Sequence, residues 1–223
     1  MRSKFQREMQ ELNEELKRMS QFIEETLTSA MEALRTGSQT LARQVYENDH
    51  IADELELSIE RKSLLILLSE QPVAKDLRII STALKMITDM ERICDQGADI
   101  AEIVLHLGEE PNARPAQLYT MAEKCVIMVK EAIHAFLMDD TMLAEAVIQS
   151  DDEIDRLFMQ VRGDLVEDIL KDPSSSSRKM DELMIAKYLE RIGDHAQNIA
   201  EWVIFMVHGV KYNSKNGEST RIL

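Results

Sequence analysis

Carboxylates recur in this chain at a spacing that sets them on one face of a helix. Glu91 and Asp95 stand four apart in ERICDQGADIAE (91–102), and Glu190 and Asp194 stand four apart in ERIGDHAQNIAE (190–201), ninety-nine positions on. Upstream of each, Asp49 with Asp53 and Asp151 with Asp155 repeat the spacing. Side chains four apart on an α-helix point about 40° from one another and meet. Acids crowded together out of water either keep their protons or take up a cation. An all-oxygen set without His or Cys suits Mg²⁺, Mn²⁺, Ca²⁺ or iron and disfavours a structural zinc site.

With 41 Asp and Glu in 223 residues, roughly seven acidic i,i+4 pairs arise by chance, so a single pair carries no information. Two features add weight. On the helical wheel Ile80 and Leu84 flank Glu91, and Asp151 lies between Val147 and Phe158 on one side and Ala144 on the other, where a bundle wants aliphatic side chains. The heights also agree. Asp53 lies 18 residues before a hairpin tip at Gln71 and Glu91 lies 20 after it, so in antiparallel helices their levels differ by only about 3 Å. In the second set Asp155 is 19 residues before Ser174 and Glu190 is 16 after it, a mismatch of about 4.5 Å. Asp99 and Glu102 prolong the first stripe; in the second, Asn198 stands at the counterpart of Asp99 and Glu201 is kept, so the second cluster holds less charge. The competing reading is a solvated acidic stripe balanced by Arg92, Arg191 and nearby lysines, as many long bundles carry.

Helices must position these groups. Abundant Leu, Ile, Met, Ala, Glu and Lys, against seven Gly, four Pro and 4% aromatics, favour an all-α fold. Breaks near 36–38, 71–72, 106–115, 139–140 and 172–177 separate six long segments of helical period. The duplication runs further than the acidic phrases: a shift of 102 sets MSQFIEETLTSAMEAL (19–34) on MAEKCVIMVKEAIHAF (121–136), and a shift of 99 aligns the ERI phrases. The expected architecture is two tandem three-helix bundles, residues 1–107 and 116–209, joined through HLGEEPNARP (106–115), with a flexible tail over 210–223.

The net charge of −15 repels nucleic acid and anionic lipid, so basic protein surfaces and cations are better partners. Cys94 and Cys125 lack CxxC spacing and read as reduced, buried thiols of a cytosolic protein. The charged N-terminus has no apolar core of a secretion signal, and no apolar run is long enough to span a membrane. Glu-x-x-His at Glu47–His50 and at Glu131–His134 raises the alternative of a di-iron enzyme or store, but the two fall on non-equivalent helices and the second points away from its apolar stripe. His50 and His195 are expected to face solvent, about 100° from their neighbouring aspartates. Gly97, Gly163 and Gly193 suggest close helix approach near the sites.

Two copies carrying Asp-x-x-x-Asp on the second helix and Glu-Arg-Ile-x-Asp on the third, with PVAKDLR (72–78) opening the first third helix, resemble the PhoU family over about residues 9–207. The resemblance implies a cytoplasmic regulator of phosphate homeostasis, commonly a homodimer, peripheral to the membrane only through its partners. Those partners are the ATPase subunit of the phosphate-specific ABC transporter and a sensor histidine kinase, and the regulation is negative, with no catalysis. The resemblance also implies bound metal ions, iron first, with Mn, Mg, Ca and Zn as alternatives. The ligand role falls on Asp49, Asp53, Glu91, Asp95 and Asp99 in copy one and on Asp151, Asp155, Glu190, Asp194 and Glu201 in copy two. The second copy reads SRKMDELM where the first reads AKDLRII, so a role for Asp76 and Arg78 does not extend to both halves.

Overall fold

The computed structural model describes residues 2–108, 115–213 and 218–221, with side chains described over 4–108 and 115–210. Most of the joint between the copies (109–114) and part of the tail (214–217 and 222–223) lie outside the described residues. The first copy comprises α1 (Arg2–Thr36), α2 (Gln39–Glu47), α3 (His50–Glu70) and α4 (Lys75–Leu107); the second comprises α5 (Ala116–Met138), α6 (Thr141–Lys171) and α7 (Ser176–His208). Local chemistry sets the ends. Gly37 at φ 74° turns the chain out of α1, and the Ser38 side chain accepts from Leu41 N to start α2. Gln71 closes α3 in the left-handed region, with Pro72 blocking continuation. Asp140 caps α6 by accepting from Met142 N and Leu143 N, each at 3.0 Å. Asp172 accepts from Ser174 N in the 3₁₀ turn, Pro173–Ser175, that leads into α7.

One expected long helix is interrupted. The second helix of copy one divides at Asn48 and Asp49, where Ile51 N bonds Asn48 O at 3.0 Å and Ala52 N bonds Asp49 O at 2.9 Å, tight i,i+3 bonds in place of helical ones. Asn and Asp compete with the helix for backbone partners, and two adjacent ones suffice here. In copy two the equivalent Ser150 and Asp151 lie within unbroken α6. The tail expected to be frayed instead carries a short antiparallel ribbon, β1 (Val210–Asn213) with β2 (Glu218–Arg221), Val210 opposite Arg221.

The bundles lie side by side along α4 and α7. Their buried faces repeat at the ninety-nine-residue shift: Met90, Ile93 and Ile100 on α4 match Leu189, Ile192 and Ile199 on α7, all fully buried. Asp89 accepts from Asn198 Nδ2 at 3.0 Å and meets His195 Nδ1 at 2.9 Å. Asp99 accepts from the Tyr188 hydroxyl. The first pair joins an early α4 residue to a late α7 residue and the second does the reverse, so the helices run antiparallel. Asp89 and Tyr188 are equivalents, as are Asp99 and Asn198, so the seam has a local two-fold axis. His195 therefore does not face solvent: a turn of about 100° from Asp194 aims it at the other copy. His50 is exposed. Of the glycines, Gly193 marks a close approach, since a Cβ there would meet Asp151 Oδ1 at 3.1 Å and Ile154 Cγ2 at 3.2 Å, whereas Gly163 faces open space.

Asp89→Ala leaves two seam donors without their acceptor and is expected to cost about 1–3 kcal/mol, read as a lower urea midpoint at unchanged helix content.

Candidate metal centre

In copy one, α3 and α4 bring together the acids that the sequence places at one height. One carboxylate oxygen each from Asp53, Glu91 and Asp95 lie within 4.8 Å of one another. A cation at about 2.0–2.6 Å from each of three oxygens needs them no more than about 4.5 Å apart, so a small inward turn of these side chains is enough to hold one. Glu91 is only 8% exposed, and its neighbours on the α4 face include buried Ile80 and Ile87. Its Oε2 is buried without a hydrogen bond; Arg92 Nε stands 3.3 Å away but lacks hydrogen-bond alignment. Arg92 instead donates to Asp95 at 2.8 Å.

Asp49 joins this group from the break between α2 and α3. It occupies the position before α3 where an Asp normally accepts from the helix's first N–H groups, yet it makes no such bond, and its Oδ1 is buried without a partner. Burial raises its pKa to about 6, helped by Asp95, Asp53 and Asp99. Burial likewise raises Glu91 to about 7, with Asp95 the largest neighbouring contribution. Burial and then Asp95 raise Asp99, which lies half-buried toward the seam on Tyr188 rather than in the triangle. Two buried oxygens without hydrogen bonds beside two further carboxylates, four acids against Arg92, are a donor set that fits a hard metal ion. Asp53, Glu91 and Asp95 would hold it, with Asp49 adjacent.

Copy two keeps the residues and loosens the cluster. Asp151 is 8% exposed, and burial raises its pKa to about 7, reinforced by Asp194, Asp155, Asp152 and Glu190. Asp155 and Asp194 are exposed, while Glu190 and Glu201 are half-buried. Among the described residues only the copy-one set converges to the distance given above. Lys187 explains part of the difference: it pairs with Glu190 and lies 5.5 Å from the centre of the Phe158 ring. Its copy-one counterpart is Thr88, which donates to Glu56 at 2.9 Å. Glu56 also faces Glu91 electrostatically and was not singled out from sequence, although it stands three residues after Asp53 on the same helix. Glu47 and His50 bond through the Glu47 carbonyl, and His134 is exposed, so neither Glu-x-x-His pair enters a cluster. Both cysteines are buried free thiols.

A PhoU-domain family model matches residues 16–104 and 118–203, one match on each copy. The chain belongs to the PhoU family. It is 32% identical over 207 residues, 92% of this chain and 94% of the relative, to a phosphate-specific transport system accessory protein PhoU homolog from Clostridium acetobutylicum. It is 37% identical over 207 residues, 92% of this chain and 89% of the relative, to PhoU homolog 1 from Thermotoga maritima. The crystal structure of PhoU from Pseudomonas aeruginosa superposes with a TM-score of 0.86 at 34% identity, covering 92% of this chain and 99% of that one. PhoU proteins are regulatory accessories of phosphate transport and not enzymes, which removes the di-iron enzyme reading. Among the described residues no helix is long and apolar enough to cross a membrane.

The raised carboxyl groups set a pH dependence. Asp49, Glu91 and Asp151 hold protons in the fold up to about 6 or 7, against ordinary values near 4. Between those limits the folded chain binds more protons than the unfolded one, so metal-free stability falls as pH rises through that window. Chelator-treated protein is expected to have a lower urea midpoint at pH 8 than at pH 5. Glu91→Gln is expected to raise the pH 8 midpoint and leave the pH 5 midpoint nearly unchanged.

Proposed function

We propose that this chain is a metal-loaded negative regulator of phosphate uptake, and that the copy-one carboxylates are its principal metal centre. The convergence of Asp53, Glu91 and Asp95 to within 4.8 Å carries this reading, and the Asp49 and Glu91 oxygens buried without hydrogen bonds support it. A bound cation supplies charge that four crowded acids lack, and so ties helix 2 of the copy to helix 3. Iron is the first candidate, with manganese, magnesium, calcium and zinc behind it. Copy two, with Asp151, Asp155, Glu190, Asp194 and Glu201, is a weaker site because among the described residues its carboxylates do not converge as those of copy one do. Asp99 supports the first site from the seam.

The names of the relatives connect them with the phosphate-specific transport system. On this proposal the chain acts in the cytoplasm as a homodimer, its acidic surface docking on basic patches of the transporter's ATPase subunit and of a sensor histidine kinase. Metal binding fixes the surface presented to each partner and biases their conformational equilibria; the net charge of −15 favours such partners electrostatically.

Elemental analysis of untagged protein tests the centre. Glu91→Gln with Asp95→Asn is expected to remove most bound metal, and Glu190→Gln with Asp194→Asn to remove less. Equal metal in all three proteins would rule out the assignment. A tagged chain is further expected to retain the transport ATPase from a lysate, with retention reduced in the copy-one double variant.

A further inference from the structure

The cavity between the two copies offers a chemistry opposite to that of the metal centre. It has a volume of about 380 Å³ and is walled by α1, the start of α4, the end of α5 and the end of α7. Lys17, Lys75 and Arg78 line it, three cations in a chain whose net charge is −15. Lys17 is engaged by Glu14 at 3.2 Å. Arg78 is half-buried, and its Nε–H is shut from solvent with no acceptor. A buried guanidinium donor without a partner is costly, and an oxyanion that accepts from Nε–H and a terminal N–H in parallel is its natural complement. Lys75 is exposed, at the first residue of α4, whose N-terminus has no side-chain cap. Helix N-termini add favourable potential for an anion.

The remaining wall sets the size and character of the ligand. Leu16, Phe136 and Met206 present buried apolar surface to the cavity. Its volume falls in the range of roughly 300–1,000 Å³ typical of sites for organic ligands, more room than a single oxyanion fills. Asp139 also lines it, an acceptor suited to a ligand hydroxyl. At the ninety-nine-residue shift Lys75 and Arg78 fall on Ser174 and Ser177.

We propose that this cavity binds a phosphorylated small metabolite, its phosphoryl group on Arg78 and Lys75 and its apolar or aromatic body against Leu16, Phe136 and Met206. Because the walls come from both copies, the ligand bridges them and stabilises one packing of the bundles by mass action. The inference is independent of the metal reading.

Calorimetric titration of the chelator-treated full chain tests it, since removing metal excludes phosphate held at the carboxylate cluster. AMP, adenosine and inorganic phosphate are the probes. AMP is expected to bind saturably, adenosine at least about tenfold more weakly, and inorganic phosphate to compete with AMP. Arg78→Gln and the exposed-site variant Lys75→Gln are each expected to weaken AMP by about tenfold, with circular dichroism unchanged. Inorganic phosphate binding as tightly as AMP would assign the cavity to the free ion and overturn the organic ligand. No saturable binding of AMP or phosphate up to about 10 mM, or AMP affinity unmoved in both variants, would overturn the site altogether.

Discussion

Repulsion among carboxylates held away from water governs the middle of each bundle. A surface acid four residues from another costs little, because water screens it. Glu91 and Asp151 do not have that screening, for each sits on the apolar side of its helix at 8% exposure. Their neighbours are acids one turn away on the same helix and acids of the facing helix, so both the helical repeat and the packing of the bundle force like charges together. Protons relieve the strain at low pH, and under the proposed function a cation would relieve it at neutral pH, coupling the contact between the two acid-bearing helices of each copy to the ionic surroundings.

The seam between the copies depends on a different balance. α4 and α7 meet through matched aliphatic positions, and polar contacts at either end fix their register. At one end the pair is Asp89 with Asn198 and His195; at the symmetric end it is Asp99 with Tyr188. Polar contacts of this kind favour one register over a slipped alternative, because a slip leaves part-buried donors and acceptors without partners. The acidic stripe of α4 thereby runs from the metal centre through Asp99 to the second copy, giving the two halves a short physical connection.

Much of this was legible in the sequence, and what was not has identifiable causes. Helix ends at Gly37, Gln71, Asp140 and Asp172 follow from caps and breakers that act within a few residues. The meeting of Glu91 with Asp53 follows from period and rise alone, and the larger height mismatch in copy two agrees with its looser cluster. The break at Asn48 escaped because the propensity difference is small and the aligned Ser150 stays helical. The roles of Asp89, His195 and Arg78 escaped for a broader reason: each depends on how one copy sits against the other, which local periodicity does not encode. Of these, only PVAKDLR carried a signal, by being absent from the second copy.

Duplication followed by unequal change explains why two copies of one design differ where chemistry is concerned. The aliphatic core and seam positions tolerate little variation, since each is fully buried and close-packed. Charges at the cluster are freer to differ, because a lysine such as Lys187 beside Glu190 offsets repulsion without disturbing the core. Each such change stabilises the metal-free fold and weakens the claim of the site on a cation. Copy one took the other course: broken at Asn48, its second helix leaves Asp49 without a capping role and turns a structural residue into a free acceptor. The half with the less regular helix is therefore the half with the stronger demand for a cation.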